Sequence, residues 1–488
     1  MSPSRLLLFF FAALFFHMAG SATLPLLDRD EPRFAEASRE MRERHDWVLP
    51  TFNDKPRYDK PPLIYWMQGA AYSVFGETEF AARLPAAICA ALVGVVLALW
   101  GARLYGAESG WRAAIIFTLS LQTIAHSHAA VADMPMVLAV AASAWAGWEW
   151  RRAADAKSAR GWWFFFWTAM ALGFLAKGPI AWLPLIMLAF VPLGRAQTTG
   201  RAIAAWTLGL AWMLGLVALW GVPALIRTHG EFAAIGLGKH VVGRSVGAME
   251  GHGGGSLATA LAALPFYFLT VWPGFFPWSI WLPAAIRHYG FAGLPKGSVE
   301  RYLFVGTALV FGIFTLVRTK LPHYTLPAFP FLALMLAGWW RAAAKSGTTF
   351  WKTSAITAAI VLLFAFTGVP VLASLFPAPR IFAQAAPALH PETKLALVDF
   401  TEPSAVWLFR GHVRTFPEIV SSKQINVWMS DAGPRCCLLT DELAAKLFPQ
   451  PPPDWQVVRE DGWNLVKGKR VGLTLLIKEP ATAAKTNP

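Results

Sequence analysis

Apolar runs of roughly 20 residues recur along most of this chain, the length a helix needs to cross the hydrocarbon core of a bilayer. They fall near residues 5–27, 83–104, 111–128, 132–150, 161–177, 179–194, 203–226, 257–286, 301–317, 322–340 and 350–375, which predicts about eleven spans. Backbone polar groups inside lipid have to be satisfied within the protein, so this pattern restricts the chain to a polytopic α-helical membrane protein. Composition agrees. Of 488 residues 56% are hydrophobic, 24 are Trp and only 15% are charged, too apolar for a soluble protein of this size. The run near 257–286 holds Pro265, Pro273, Pro277 and Pro283 and is expected to be kinked or broken.

The net charge of +14 raises nucleic acid as a partner, but the basic residues form no continuous patch. They flank apolar spans instead, in alternate gaps: Arg5; Arg103 and Arg112; Arg151, Arg152, Lys157 and Arg160; Arg195 and Arg201; Arg287, Lys296 and Arg301; Arg341, Lys345 and Lys352. Cytoplasmic loops carry this excess, which places the N-terminus inside and, with an odd number of spans, the C-terminus outside. Arg5, the run Leu6–Phe16 and the small residues Ala19–Ala22 also fit a cleaved signal peptide. That alternative leaves the faces of the later loops unchanged.

The chain divides into a membrane domain, 1–375, and a small outside α/β domain, 376–488. In the latter Lys394–Phe400, Ala405–Arg410, Arg435–Thr440, Trp455–Arg459 and Val471–Lys478 read as strands, and Asp441–Phe448 as a helix. Trp407, Trp428, Trp455 and Trp463 read first as core residues of this domain and second as glycan contacts. Three cysteines, Cys89 and the adjacent Cys436 and Cys437, make no disulfide framework and are expected as buried thiols.

The gaps on the outer face carry unusual charge. In the first, 28–82, Phe34, Ala37 and Met41 recur at helical spacing between Arg and Glu, predicting an amphipathic helix over 31–44 on the membrane surface. The loop 227–256 ends in a Gly251–Gly255 segment. It is not a nucleotide loop, since no strand precedes it and no Gly-Lys-Ser/Thr follows. Three lysines stand just before a proline that can open a helix: Lys60-Pro61, Lys177-Gly178-Pro179 and Lys320-Leu321-Pro322. Helix N-termini present free N–H groups and partial positive charge, so a lysine there makes an anion site. Three on one face suggest an enzyme that grips a phosphorylated lipid.

Asp30 reads both as a helix cap and as a general base at the membrane edge. Asp133 lies between two apolar spans, where a carboxylate is costly and is usually paired or functional. Lys177 alone would pass for a snorkelling residue. Lys239, His240 and Arg244 by themselves are an ordinary loop trio.

The segments Asp30–Met41 (DEPRFAEASREM), 46–53 (DWVLPTFN), 58–66 (YDKPPLIYW), 132–135 (ADMP), 174–179 (FLAKGP) and 320–330 (KLPHYTLPAFP) together resemble the membrane glycosyltransferases of the GT-C superfamily. The nearest likeness is to the lipid A 4-amino-4-deoxy-L-arabinose transferases and the bacterial relatives of protein O-mannosyltransferases. It runs in order from residue 1 to about 340 and does not cover the C-terminal domain. That domain is shorter, and the spans fewer, than the arabinose transferases lead one to expect.

The resemblance implies a polyprenyl-phosphate sugar donor, a lipid or glycan acceptor, and a site on the outer face of the cytoplasmic (inner) membrane. It implies catalytic roles for Asp30 and Asp133, and donor-phosphate binding by Lys60, Lys177, Arg318 and Lys320. Glu31, Arg33, Lys239, Arg244 and Tyr324 become contacts to the acceptor or among the loops. Some members hold a divalent cation between the acidic residue before the first lysine and a histidine of the later loop. Those positions are Asp59 and His240 here, with Asp in place of the longer Glu; no other cofactor is implied. Two readings from other classes compete: a transporter of the same lipid, which tends to show internal repeats and a midplane site, and an envelope scaffold, which gives no reason for three Lys-Pro elements on one face.

Overall fold

The computed structural model describes residues 1–191, 199–243, 257–290, 294–344, 347–465 and 467–478. Eight helices open the chain: α1 (Pro3–Met18), α2 (Asp30–Glu43), α3 (Leu63–Phe75), α4 (Glu79–Tyr105), α5 (Ala107–Thr118), α6 (Leu121–Ser127), α7 (Asp133–Arg152) and α8 (Ala156–Lys177). Local chemistry sets their ends. The Thr78 hydroxyl accepts from Ala81 N at the start of α4, and the Asp155 carboxylate accepts from Lys157 N and Ser158 N at the start of α8, the usual way of satisfying orphan donors. Gly106, at φ 92°, ends α4 and turns the chain into α5. These two helices pack closely: a Cβ on Gly110 would stand 2.2 Å from the Ala98 carbonyl oxygen, so only glycine admits the approach.

Among the described residues four helices are individually long and apolar enough to cross a membrane: Glu79–Tyr105, Ile203–Arg227, Val299–Leu316 and Gly347–Ala373. Several of the other expected spans are shorter or interrupted. The 257–286 run is cut into pieces at its prolines, and the 179–194 and 322–340 runs each open with a 3-10 turn. Large apolar side chains stand outward on the second and fourth of these four helices, including Ile203, Leu208, Leu219, Ile356, Ile360 and Leu363. Such surface is stable only against lipid or another apolar partner.

Helix α2 falls within one residue of its expected range, and it is buried on both its apolar and its polar side. Phe34, Ala37 and Met41 pack with Ile64 and Tyr65 of α3, as the spacing requires. The polar side of α2 is covered too, by the helix Pro403–Arg410, so that Glu36, Arg39 and Glu40 are buried. A two-residue hairpin, β1 (Thr51–Phe52) and β2 (Lys55–Pro56), follows, turning at Asn53 and Asp54, both with positive φ. Glu40 clamps it, accepting from Thr51 Oγ1 at 2.5 Å, Asn53 N at 2.5 Å and Asp54 N at 3.3 Å.

Beyond residue 390 the chain forms a five-stranded mixed sheet from β3 (Lys394–Leu397), β4 (Glu418–Ile419), β5 (Arg435–Thr440), β6 (Trp455–Asn464) and β7 (Lys469–Lys478), in the order β4-β3-β5-β7-β6. β3 pairs in parallel with β4 and β5, while β5–β7 and β6–β7 are antiparallel. Cys436 and Cys437 point to opposite faces of the sheet and are both buried and free. One expectation fails: Ala405–Arg410 is not a strand but the body of the helix Pro403–Arg410, opened by Pro403 at its first turn. Its side chains are buried on nearly all sides, so the apolar run carries no helical stripe.

Candidate active site

The hairpin delivers Tyr58, Asp59 and Lys60 to a cavity of ≈ 490 Å³ whose lining also includes Asp133, Lys177, His323 and Tyr324. Its walls are apolar, with Val217 and Trp220 from the helix Ile203–Arg227 and Ile313, Phe314 and Val317 from the end of Val299–Leu316. Two of the three Lys-Pro elements act as expected: Pro179 and Pro322 each begin a 3-10 helix. In the third, Pro62 is the N-cap and α3 starts at Leu63.

Lys177 ends α8 and Asp133 begins α7, and the two meet at 2.5 Å between Nζ and Oδ1. Lys177 Nζ also lies 5.9 Å from the Tyr324 ring centroid, within the range of cation–π attraction. Lys60 Nζ donates to the Asp59 carbonyl at 3.1 Å. The Asp59 carboxylate is held by Arg57 at 3.0 Å. Arg57 in turn donates to the Tyr65 hydroxyl at 3.2 Å and stands over the Phe34 ring. Asp30 is exposed as the first residue of α2; Arg29 is the N-cap, and the Asp30 side chain makes no capping bond. Asp30 is not among the residues lining the cavity; it lies near enough to Arg57 and Tyr65 for its charge to act on them.

Other expected residues lie elsewhere. Lys320 does not line the cavity: its Nζ donates to the carbonyls of Phe314 at 2.8 Å and Thr315 at 2.6 Å, capping the end of Val299–Leu316. A cation at a helix C-terminus satisfies orphan carbonyls and complements the dipole. Arg318 is exposed and outside the cavity lining. Glu31 is a buried structural anion, paired with Arg83 at 2.9 Å and accepting from Leu27 N at 2.8 Å and Ala130 N at 2.7 Å. Arg83 spends its remaining donors on the carbonyls of Ser21, Leu24 and Pro25. Arg33, half-buried, sits beside Asp28 rather than at the cavity. Arg244 lies outside the described residues, as do the side chains of Lys239 and His240, so the Asp59–His240 metal pair has only its aspartate on view.

Sequence reasoning passed over His126 and His323. Their rings stand 4.9 Å apart beside Asp133. His323 lay within a quoted motif and His126 seven residues before Asp133; no local pattern tells that the two meet. Arg57, three residues before Lys60, was also passed over.

The family model for dolichyl-phosphate-mannose-protein mannosyltransferases matches residues 59–222. An undecaprenyl phosphate-α-4-amino-4-deoxy-L-arabinose arabinosyl transferase of Edwardsiella ictaluri is 27% identical over 64% of this chain and 54% of its own length. A second such transferase, of Sodalis glossinidius, is 30% identical over 73% of this chain and 62% of its own. The chain thus spans a little over half the length of these curated relatives. Among solved structures, ArnT from Cupriavidus metallidurans bound to undecaprenyl phosphate superposes with a TM-score of 0.75, at 18% identity and over 100% of both chains. The oligosaccharyltransferase AglB of Archaeoglobus fulgidus superposes at 0.51, with 12% identity, covering 93% of this chain and 69% of that one. The chain has the GT-C membrane fold. Within that fold it resembles the aminoarabinose transferases.

Proposed function

We propose that this chain is a GT-C glycosyltransferase that moves a sugar from a polyprenyl-phosphate donor to lipid A or another lipopolysaccharide or envelope acceptor. The observation that carries the proposal is that Lys60 and Lys177 share one cavity, at the polar end of apolar walls supplied by outer helices. That is the shape and charge a phosphate on a long isoprenoid tail needs. The relatives named for undecaprenyl-phosphate chemistry support it. In the same reading the eleven spans place residues 1–375 in the inner membrane, with the cavity and residues 376–488 on the periplasmic face, away from the basic loops.

In the proposed reaction an acceptor oxygen attacks the anomeric carbon as the bond to the phosphate oxygen breaks, and polyprenyl phosphate leaves with an added negative charge. Lys60 and Lys177 stabilise that charge, and groups preorganised where charge develops account for much of catalysis. Asp133 fixes the Lys177 ammonium and faces the sugar. Asp30 orients or deprotonates the acceptor hydroxyl, with Arg57 and Asp59 between it and the donor. Lys320 and Arg318 drop out of the phosphate site.

The family model for protein mannosyltransferases favours a second acceptor class, a secreted protein. Mass spectrometry of lipid A and envelope glycolipids decides between them, comparing a deletion strain complemented with wild type and with Asp30→Asn. A sugar-sized increment seen only with wild type is expected; identical spectra with both proteins expressed turn the assignment toward a protein acceptor. Transfer by the purified protein in detergent separates an enzyme from a transporter, and substantial residual transfer by purified Asp30→Asn would remove Asp30 from the mechanism.

A further inference from the structure

We propose that His126, Asp133 and His323 form a binding site for a borderline divalent transition metal such as Zn²⁺ or Co²⁺, at the edge of the same cavity, which Asp133 and His323 line, and separate from Asp59 and His240. The ligand atoms of the three side chains lie within 4.8 Å of one another, the one such group of three among the described residues. A tetrahedral site with bonds of about 2.0–2.1 Å has edges of about 3.3 Å, so modest side-chain rotation closes the gap.

A second observation points to a ligand. The Nδ1 of His126 faces the Gln122 carbonyl at 3.1 Å. A carbonyl only accepts, so Nδ1 carries the proton and the Nε2 lone pair is left for a cation, the second-shell arrangement that orients metal-bound histidines. Lys177 occupies Oδ1 of Asp133, and Oδ2 has no protein partner among the described residues. His323 makes no hydrogen bond among them and lines the cavity. Two imidazoles and one carboxylate select zinc-like ions over Mg²⁺, which prefers oxygen.

Three protein ligands leave a fourth position open toward the cavity. There an anionic oxygen would sit between the metal and the Lys60 and Lys177 ammonium groups. That this oxygen belongs to a phosphate rests on the donor reading above; the metal site itself does not.

The test is a titration of the full-length protein, purified in detergent without a histidine tag and stripped by a chelator, with Co²⁺ alone. Visible absorption and equilibrium dialysis are the readouts. The expected result is one tightly bound Co²⁺ per chain with the d–d band of a tetrahedral nitrogen–oxygen site. His126→Ala and His323→Ala each abolish the band and weaken binding at least about tenfold, whereas Asp59→Ala and His240→Ala keep both. Lys177→Met, which removes the competing ammonium, tightens binding, a gain that misfolding does not imitate. A wild-type protein that binds no Co²⁺, or histidine variants that titrate like wild type, overturns the proposal. No sugar donor enters the titration, so its failure leaves the transfer reading standing, and failed transfer leaves the metal site standing.

Discussion

The segment 28–82 meets two clusters of charge that follow different rules. On one side, Glu36 and Arg39 of α2 pair at 2.6 Å, and Arg410 of the C-terminal segment joins Glu36 at 3.2 Å and also pairs with Glu43. Arg39 lies flat over Trp407, 3.7 Å from its ring centroid, and donates to the Trp407 carbonyl. On the other side, Lys60, Asp133 and Lys177 converge on a cavity. In the Glu31–Arg83 pair every guanidinium nitrogen donates to a protein oxygen, and in the first cluster Arg410 does the same. Lys177, by contrast, gives one N–H to Asp133 and lines the cavity. Charges paired within the protein hold the fold; charges that line a cavity can meet a ligand.

The largest effects expected from this contrast are on transfer alone. Lys60→Ala and Lys177→Ala should each lower kcat by about 10²–10³-fold, with the detergent-solubilised protein still eluting as a folded species. Unfolding together with the activity loss would place these lysines with the structural set.

Next in size is the removal of one member of a buried pair. Glu31→Ala leaves Arg83 uncompensated and should cost about 3–5 kcal/mol, read as a collapse in folded yield and thermal stability. Transfer per folded molecule is expected to survive. A stable Glu31→Ala protein without transfer would return Glu31 to the acceptor site. Arg410→Ala should act more locally, raising protease cleavage within 376–478 before the membrane helices are affected.

A smaller effect is expected at Lys320. Lys320→Met removes a C-terminal cap worth about 0.3–1 kcal/mol and should leave kcat within a few-fold of wild type. A hundredfold loss would restore it as a phosphate ligand.

The smallest effect is a pH dependence at Asp28, which accepts from the Ser404 backbone N–H and hydroxyl. Burial pushes its carboxyl up to about 6, against the opposing Ser404 hydrogen bonds. The folded protein therefore binds this proton more tightly than the unfolded chain. The contribution is fully present below the ordinary carboxyl range and is lost as pH rises through about 6. Melting temperature should fall between pH 4 and pH 7 more steeply in wild type than in Asp28→Asn; parallel curves would exclude Asp28 as the source.

Legibility in the sequence followed the range of the interactions. The α2 helix, its Phe34, Ala37 and Met41 face, and the proline starts at 179 and 322 all rest on neighbours within a few positions, and they were readable. Asp133 was picked out because a carboxylate is costly between apolar spans, Lys60 and Lys177 because each stands just before a proline that can open a helix, and all three line one cavity. Lys320 satisfied the same local rule but turned back onto the helix it follows, a choice set by carbonyls only five and six residues away. Arg83 passed unnoticed inside an apolar run because its partner, Glu31, lies 52 positions earlier. The covered polar face of α2 was hidden for the same reason. Its amphipathic pattern matches a membrane-surface helix, and nothing local reveals that Pro403–Arg410 lies upon it.

That covering has a mechanical side. Helix α2 has 14 residues, about 20 Å of stiff rod at 1.5 Å per residue. Its first residue is Asp30, and its middle is clamped through Glu36 and Arg39 to the chain's C-terminal sheet region. A rod clamped midway turns small tilts at the clamp into displacement at its tip. Anything that settles against the C-terminal segment therefore has a handle on the position of Asp30.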